Sequence, residues 1–271
     1  MRRLVLLVAS VALTGVLAGP VAGATTEAAV YIALGDSLAW GDGASVPDRN
    51  GYVPRLAGYF QGATHGGTDD LENLAVRGHT THDLVDSQLP RAMALIGDQA
   101  SDTRVITISI GGNDLLDLIN DPTDVCLADA ASITCQTLIA TAMGGVAANM
   151  QVILGSLQAA LAADPGEEQI FVLLPYNAFD GTGHPLEGLV APVERGLDLA
   201  FDCTLPPTTF GLDDILGCTA LAMGAIPVDL YPLFQGRILE LTHMGEGFNV
   251  HPNDDGYEVI AKAHRAADTT R

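Results

Sequence analysis

Basic and aromatic residues are scarce in this 271-residue chain. Lysine occurs once, at Lys262, and tryptophan once, at Trp40. Lys and Arg together number 12 against 33 Asp and Glu, for a formal net charge of −21. Nucleic acids and anionic membrane surfaces are gripped by clustered Lys and Arg. This chain repels both, and no nucleic-acid partner is expected. A lysine-poor acidic exterior suits solubility at high salt and follows equally from a GC-rich genome; both readings stay open. Disorder is excluded, because 48% of the residues are hydrophobic and only 17% charged. That composition and length suffice for one sizeable core.

Long apolar runs are limited to one, from Leu4 to about Val21, behind the basic start Met1-Arg2-Arg3. Ala22-Gly23-Ala24 then fits the small-x-small rule for signal cleavage. We expect residues 1–24 to be an export signal cut after Ala24, with 25–271 a single secreted, extracellular domain. The rival is an uncleaved membrane anchor, since the run nearly spans a bilayer. After cleavage no stable membrane insertion is expected. No cysteine lies near the cut, which excludes a lipoprotein anchor there.

Cysteines number four: Cys126, Cys135, Cys203 and Cys218. An even count in an exported chain suggests disulfides, with three pairings available. The local one, Cys126–Cys135 with Cys203–Cys218, is expected, because each pair brackets a short polar or turn-rich segment. A zinc site is the alternative, and neither pair has the tight spacing that favours it. No metal and no cofactor are expected.

The remainder alternates between strand-like and helix-like segments. Ala28–Leu34, Leu71–Val76, Arg104–Ile110, Gln169–Leu174 and Ile226–Leu230 are short, apolar and often β-branched, as strands are. Arg104–Ile110 (RVITISI) is almost wholly apolar and reads as a central strand buried on both faces. Helical spacing covers Tyr52–Phe60, Thr81–Ile96, Cys135–Ala163 and Asp254–Ala267, with Gly144-Gly145 as a candidate kink. The stretch from Pro185 to Met223 reads as helical and irregular. Strands separated by helices imply a parallel sheet covered on both faces. An α/β fold follows, a three-layer α/β/α sandwich on a five-stranded parallel sheet. No internal repeat or second domain is visible.

Ligands of open α/β sheets bind outside the carboxyl ends of the strands. Gly35-Asp36-Ser37-Leu38 follows the first strand, Arg77-Gly78-His79 the second, and Gly111-Gly112-Asn113-Asp114 the third. His251-Pro252-Asn253 follows the fifth. A serine hydroxyl attacks only when a base takes its proton, and histidine is the usual base near neutrality. Acyl transfer also needs donors aimed at an oxyanion, worth roughly 3–4 kcal/mol each. The backbone N–H groups of Ser37 and Gly78 and the Asn113 amide are the candidates. Each motif alone has a bland reading: a turn at Gly-Asp-Ser or Gly78, a helix cap at Asn113, the start of a helix at His251.

Taken together, in this order, the four blocks resemble the GDSL/SGNH hydrolase family, and the resemblance spans most of the chain after residue 24. Ser37–Phe60 and Asn249–Ala261 are similar to extracellular bacterial members. The resemblance implies a flavodoxin-like SGNH hydrolase fold and metal-free esterase or lipase activity. Ser37 and His251 would be catalytic, with Ser37, Gly78 and Asn113 as the oxyanion hole. In one place the chain departs from the family. An acid usually stands three residues before the catalytic histidine, and that position is Phe248. The Phe248 main-chain carbonyl is expected to orient His251 instead. Glu246, in the Gly245-Glu246-Gly247 loop, is the second candidate, and an enzyme slow on ordinary esters the third reading.

Other residues invite competing readings. His79 and His82 beside Asp83 could bind metal but more simply open a helix. His243 could line the cleft or face solvent. Trp40 could wall an acyl pocket or sit in the core. Asp36 is expected to brace the nucleophile turn, and Asp254 and Asp255 to begin the last helix. The expected function is a secreted serine ester hydrolase acting as a monomer through an acyl-enzyme on small-molecule or lipid esters. A carbohydrate O-acetylesterase acting on acetylated polysaccharide is the enzymatic alternative. A surface or binding protein that keeps the fold is the non-enzymatic one. Pocket size is expected to depend on residues 123–133 and 185–223.

Overall fold

The computed structural model describes residues 28–269 apart from 63–64, 66, 99–100, 120–124, 130, 163–167, 185, 197–200, 205 and 207–209. The expected export signal at 1–24 lies outside the described residues, as do parts of both segments expected to set pocket size.

The first strand, β1 (Ala28–Gly35), runs into a one-turn helix, α1 (Ser37–Trp40), and then into α2 (Tyr52–Phe60). Next come β2 (Asp70–Asn73), α3 (Leu89–Ile96), β3 (Ser101–Ser109) and α4 (Gly112–Ile119). The long α5 (Ile133–Leu161) precedes β4 (Gln169–Leu174). The chain closes with α6 (Glu187–Arg195), α7 (Leu212–Ala222), β5 (Ile226–Asp229) and α8 (Asp254–Ala267). The five strands are all parallel, in the order β2-β1-β3-β4-β5.

The layers follow from the alternation of side chains along a strand. Val30, Ile32 and Leu34 of β1 point to one face, with Ile106 and Ile108 of β3. They pack there against Ala92 of α3, Ile153 of α5 and Leu216 of α7. Tyr31 and Ala33 point to the other face, where Leu56 of α2 and Ile260 of α8 cover them. Both sides of β3 from Val105 onward, and of β4, are therefore dry, which explains why these stretches carry no charged residue. The expected three-layer α/β/α sandwich is the fold.

Helix α5 is continuous through Gly144-Gly145. By length and composition it could cross a bilayer, although the sequence shows a single long apolar run, at the N-terminus. In the fold Val146, Met150, Ile153, Leu154 and Leu157 form its buried stripe against the sheet. The expected helix Thr81–Ile96 is three joined pieces: Thr81–Asp83, a π-helical turn at Leu84–Gln88, and α3. Both local disulfides are present, Cys126–Cys135 and Cys203–Cys218.

Candidate active site

Strand β1 ends at Gly35, with φ of 141°. A Cβ at this position would lie 2.2 Å from the Ser109 carbonyl oxygen of β3. Only glycine allows the chain to turn this tightly against its neighbour. Asp36 then caps α1, its Oδ1 accepting from Leu38 N at 3.0 Å, and burial pushes its carboxyl up to about 7. It braces the turn, as expected. Ser37 is the first residue of α1, so its N–H is one the helix itself leaves unused.

Gln88, on the π-helical turn, holds the strand end from the other side. Its Oε1 accepts from Gly35 N at 2.8 Å, and its Nε2 donates to Gly35 O at 2.7 Å. The same Nε2 lies 3.0 Å from His79 Nδ1. The widened turn aims a buried glutamine at β1, and π turns are frequent at functional sites. Gln88 carries no motif, so sequence reasoning missed it.

Ser37 Oγ stands 2.9 Å from His251 Nε2. The other ring nitrogen, Nδ1, is 2.8 Å from Asn249 Oδ1, which also accepts from the His251 backbone N–H at 3.2 Å. A backbone N–H can only donate, so the Asn249 atom facing it is its oxygen. Nδ1 must then carry the proton, leaving Nε2 as an acceptor towards Ser37. That is the tautomer a general base needs.

The two expected orienting groups give way to Asn249. Glu246 turns to His243, with Oε2 3.1 Å from His243 Nδ1, and its side chain is largely exposed. Phe248 is 56% exposed, and its ring packs at 5.7 Å from that of Phe179. The side chain two residues before the histidine reaches Nδ1 through a short local loop. An asparagine at that spacing, able to bond locally as in an Asx turn, was the available signal.

Charge near the imidazole comes from Asp42, whose Oδ2 is 4.0 Å from His251 Nε2 and which is paired with Arg77. Burial lowers the His251 pKa below its usual 6.5, and the Asp42 charge partly offsets this. Tyr176 donates from its hydroxyl to Val250 O at 2.6 Å, and Tyr257 to Asp42 O at 2.6 Å. Both loops of the site are thereby tied to the core.

Gly78 has φ of 76°, with open space where a Cβ would be. Asn113 Nδ2 donates to His79 O at 2.9 Å, which uses one of its two protons. Asp114 anchors the same segment by accepting from Thr81 N at 2.9 Å and Thr81 Oγ1 at 2.6 Å. Ser37, Gly78, Asn113 and His251 all face one cavity of about 300 Å³. Its inner wall includes Leu115, Leu116, Ile139, Val190 and Leu212.

The remaining residues of interest lie outside that wall. Trp40 is half-exposed beneath the Arg77 guanidinium, whose Cζ sits 3.5 Å from the ring centroid. His82 is exposed and 3.5 Å from Asp86. His243 Nε2 is 2.8 Å from Gly43 O, joining two loops of the site. Asp254 accepts from Ser45 N at 2.8 Å, in the first turn of α8.

Residues 33–259 match the GDSL-like Lipase/Acylhydrolase family. Among solved structures, the chain is similar to phospholipase A1 from Streptomyces albidoflavus NA297. The TM-score is 0.61 at 19% identity, covering 89% of this chain and 99% of that one. An extracellular lipase from Streptomyces rimosus gives 0.59 at 20% identity, over 89% and 100%. A catalytic mutant of an acetylxylan esterase from Geobacillus stearothermophilus gives 0.51 at 14%, over 89% and 94%. At these identities the likeness concerns the fold. An uncharacterized protein of Bacillus subtilis (strain 168), YpmR, is 32% identical over 95 residues, 35% of this chain and 35% of that relative's length.

Proposed function

This chain belongs to the GDSL-like Lipase/Acylhydrolase family, and from that premise we propose a secreted serine hydrolase of aliphatic carboxylic esters, with Ser37 as nucleophile and His251 as general base. The observation that carries the reading is the relay Ser37 Oγ–His251 Nε2 at 2.9 Å and His251 Nδ1–Asn249 Oδ1 at 2.8 Å.

In this reading His251 Nε2 takes the Ser37 proton as Oγ attacks the acyl carbon. The oxyanion is received by the N–H groups of Ser37 and Gly78 and by the Asn113 amide. His251 returns its proton to the leaving alcohol. Water, deprotonated by His251, then attacks the acyl-enzyme, and the carboxylic acid leaves with Ser37 restored. Asn249 keeps the imidazole in one tautomer, and Asp42 lends negative charge when the ring becomes cationic.

An aliphatic acyl group is favoured over acetyl by the cavity, whose apolar inner wall would have little to contact in an acetyl ester. Export from the cell is supported by the basic-then-apolar N-terminus and by the two disulfides. On this reading 1–24 is the signal and 25–271 the hydrolase domain.

Ser37→Ala tests the assignment. Hydrolysis of p-nitrophenyl butyrate and octanoate should fall by at least about 10⁴-fold, with an unchanged circular dichroism spectrum. Wild-type turnover in that variant would remove Ser37 from the mechanism.

A further inference from the structure

A second histidine is tied to the backbone of His251. Thr242 and Pro252 form an isolated antiparallel bridge. Beside it, His243 N donates to His251 O at 3.0 Å, and Asn253 N to Leu241 O at 2.9 Å. The His243 side chain reaches from this strip to the loop that follows α1. Its Nε2 is 2.8 Å from Gly43 O, and its Nδ1 is 3.1 Å from Glu246 Oε2. A carbonyl and a carboxylate only accept, so both ring nitrogens carry protons and His243 is an imidazolium.

Gly43 is wedged where these segments meet. Its φ is 86°, and a Cβ there would lie 2.4 Å from Pro252 O, 3.0 Å from His251 Cβ and 3.1 Å from His243 Cδ2. The residue before it, Asp42, donates from its N–H to Ser37 O at 2.9 Å and brings Oδ2 to 4.0 Å from His251 Nε2. The Gly43–His243 hydrogen bond therefore completes a path from the Ser37 carbonyl, through Asp42 and Gly43, to the His251 carbonyl. The same loop has two other anchors, Tyr257 Oη on Asp42 O and Asp254 on Ser45. It should keep its fold when His243 is replaced.

The charges around the two rings are unequal. His243 faces Gly43 O, Glu246 on its own turn and Asp254 at the start of α8. The hydrogen bond to Gly43 O raises its pKa above 6.5, burial partly opposes this, and the two carboxylates add to it. His251 faces Asp42 and Arg77. Burial lowers its pKa, Asp42 opposes this, and the positive charges of Arg77 and His243 lower it further. Where His251 titrates, His243 is thus already charged and repels a second cation. At higher pH His243 gives up its Nδ1 proton, which releases Glu246. Nε2 keeps its proton for Gly43 O, so the path between Ser37 and His251 persists.

We propose that His243 is a positioning residue for this site, which fixes the spacing of Ser37 and His251 through Gly43 and holds a positive charge that keeps the base free of its proton. The inference rests on the ester-hydrolase reading and adds the residue that sets the geometry and basicity of its pair.

Two variants divide these roles. His243→Gln keeps a donor for Gly43 O and loses the charge, and His243→Ala loses both. On p-nitrophenyl butyrate, His243→Ala should lower kcat about tenfold with KM little changed, and His243→Gln should restore most of that loss. In both variants the acid limb of kcat/KM should move to higher pH by about half a pH unit, because a repelling charge has gone. NMR titration of the His251 ring, its signal identified by its loss in His251→Asn, should show the same shift without turnover. A merely structural role would lower Tm and kcat in His243→Ala and leave the limb and the titration in place, which overturns the proposal. A kcat within twofold of wild type in His243→Ala overturns it as well. If His243→Ala does not fold, the titration in His243→Gln decides. If wild type hydrolyses no ester, the ester-hydrolase reading fails, and the titration still decides on His243.

Discussion

A carboxylate and an amide oxygen both accept from an imidazole Nδ1–H, but only the carboxylate adds charge. Asn249 therefore sets the tautomer of His251 without much stabilising the imidazolium, and Asp42 at 4.0 Å from Nε2 supplies the nearby charge. Two results should follow at this scale. Asn249→Ala should lower kcat/KM on p-nitrophenyl esters by about tenfold to a hundredfold, the loss of one hydrogen bond to a group that becomes charged. Activity within twofold of wild type would put the orienting role elsewhere. The second result is a pH dependence. As the proposed base, His251 works only when neutral, and burial disfavours its charged form, so the acid limb of kcat/KM should lie below the ordinary 6.5. Asn249→Asp brings a carboxylate to Nδ1, favours the charged form, and should move that limb to higher pH. A limb that stays in place in Asn249→Asp would contradict the contact. Ser37, Gly78 and Asn113 were legible because each stands in a short block soon after a strand, and His251 because its block opens the last helix. Asn249 and Gln88 were not, because each acts through a side-chain contact that belongs to no block.

Strand β1 and helix α1 form the element on which Ser37, the proposed nucleophile, rides, and the turn between them leaves no slack. Gly35 abuts the Ser109 carbonyl, and Gln88 grips its N–H and C=O. Gly35→Ala should cost roughly 2–4 kcal/mol in urea unfolding and depress turnover, since relieving the clash must shift α1. A variant with wild-type stability would mean that β1 and β3 can separate freely at this point. At this scale the sequence reading did well wherever burial imposed a pattern: Tyr52–Phe60, Gln169–Leu174 and Asp254–Ala267 stand with the expected bounds. It erred at β2, expected over Leu71–Val76 and found at Asp70–Asn73. That edge strand is largely polar, and its pairing with β1 alone sets its length. The π turn at Leu84–Gln88 also escaped, because one extra residue in a helical turn leaves the hydrophobic spacing almost unaltered.

The whole molecule carries 33 acidic groups against 12 basic ones. Self-repulsion of that order destabilises a compact state, and added salt screens it. Raising NaCl from 0.05 to 0.5 M should therefore raise Tm, measured by scanning calorimetry at pH 7. A Tm that falls over this range would show that the acidic groups are already balanced by local pairs such as Arg55–Glu258. The α/β order of elements, the parallel sheet and the proposed pairing of Ser37 with His251 were open to reading from sequence alone. Periodicity reports burial, and short motifs report backbone turns, and both are local properties of a chain. The partner of His251 and the grip of Gln88 on β1 were decided only by the tertiary structure. Each depends on distances between side chains that packing creates, and linear spacing does not encode those distances.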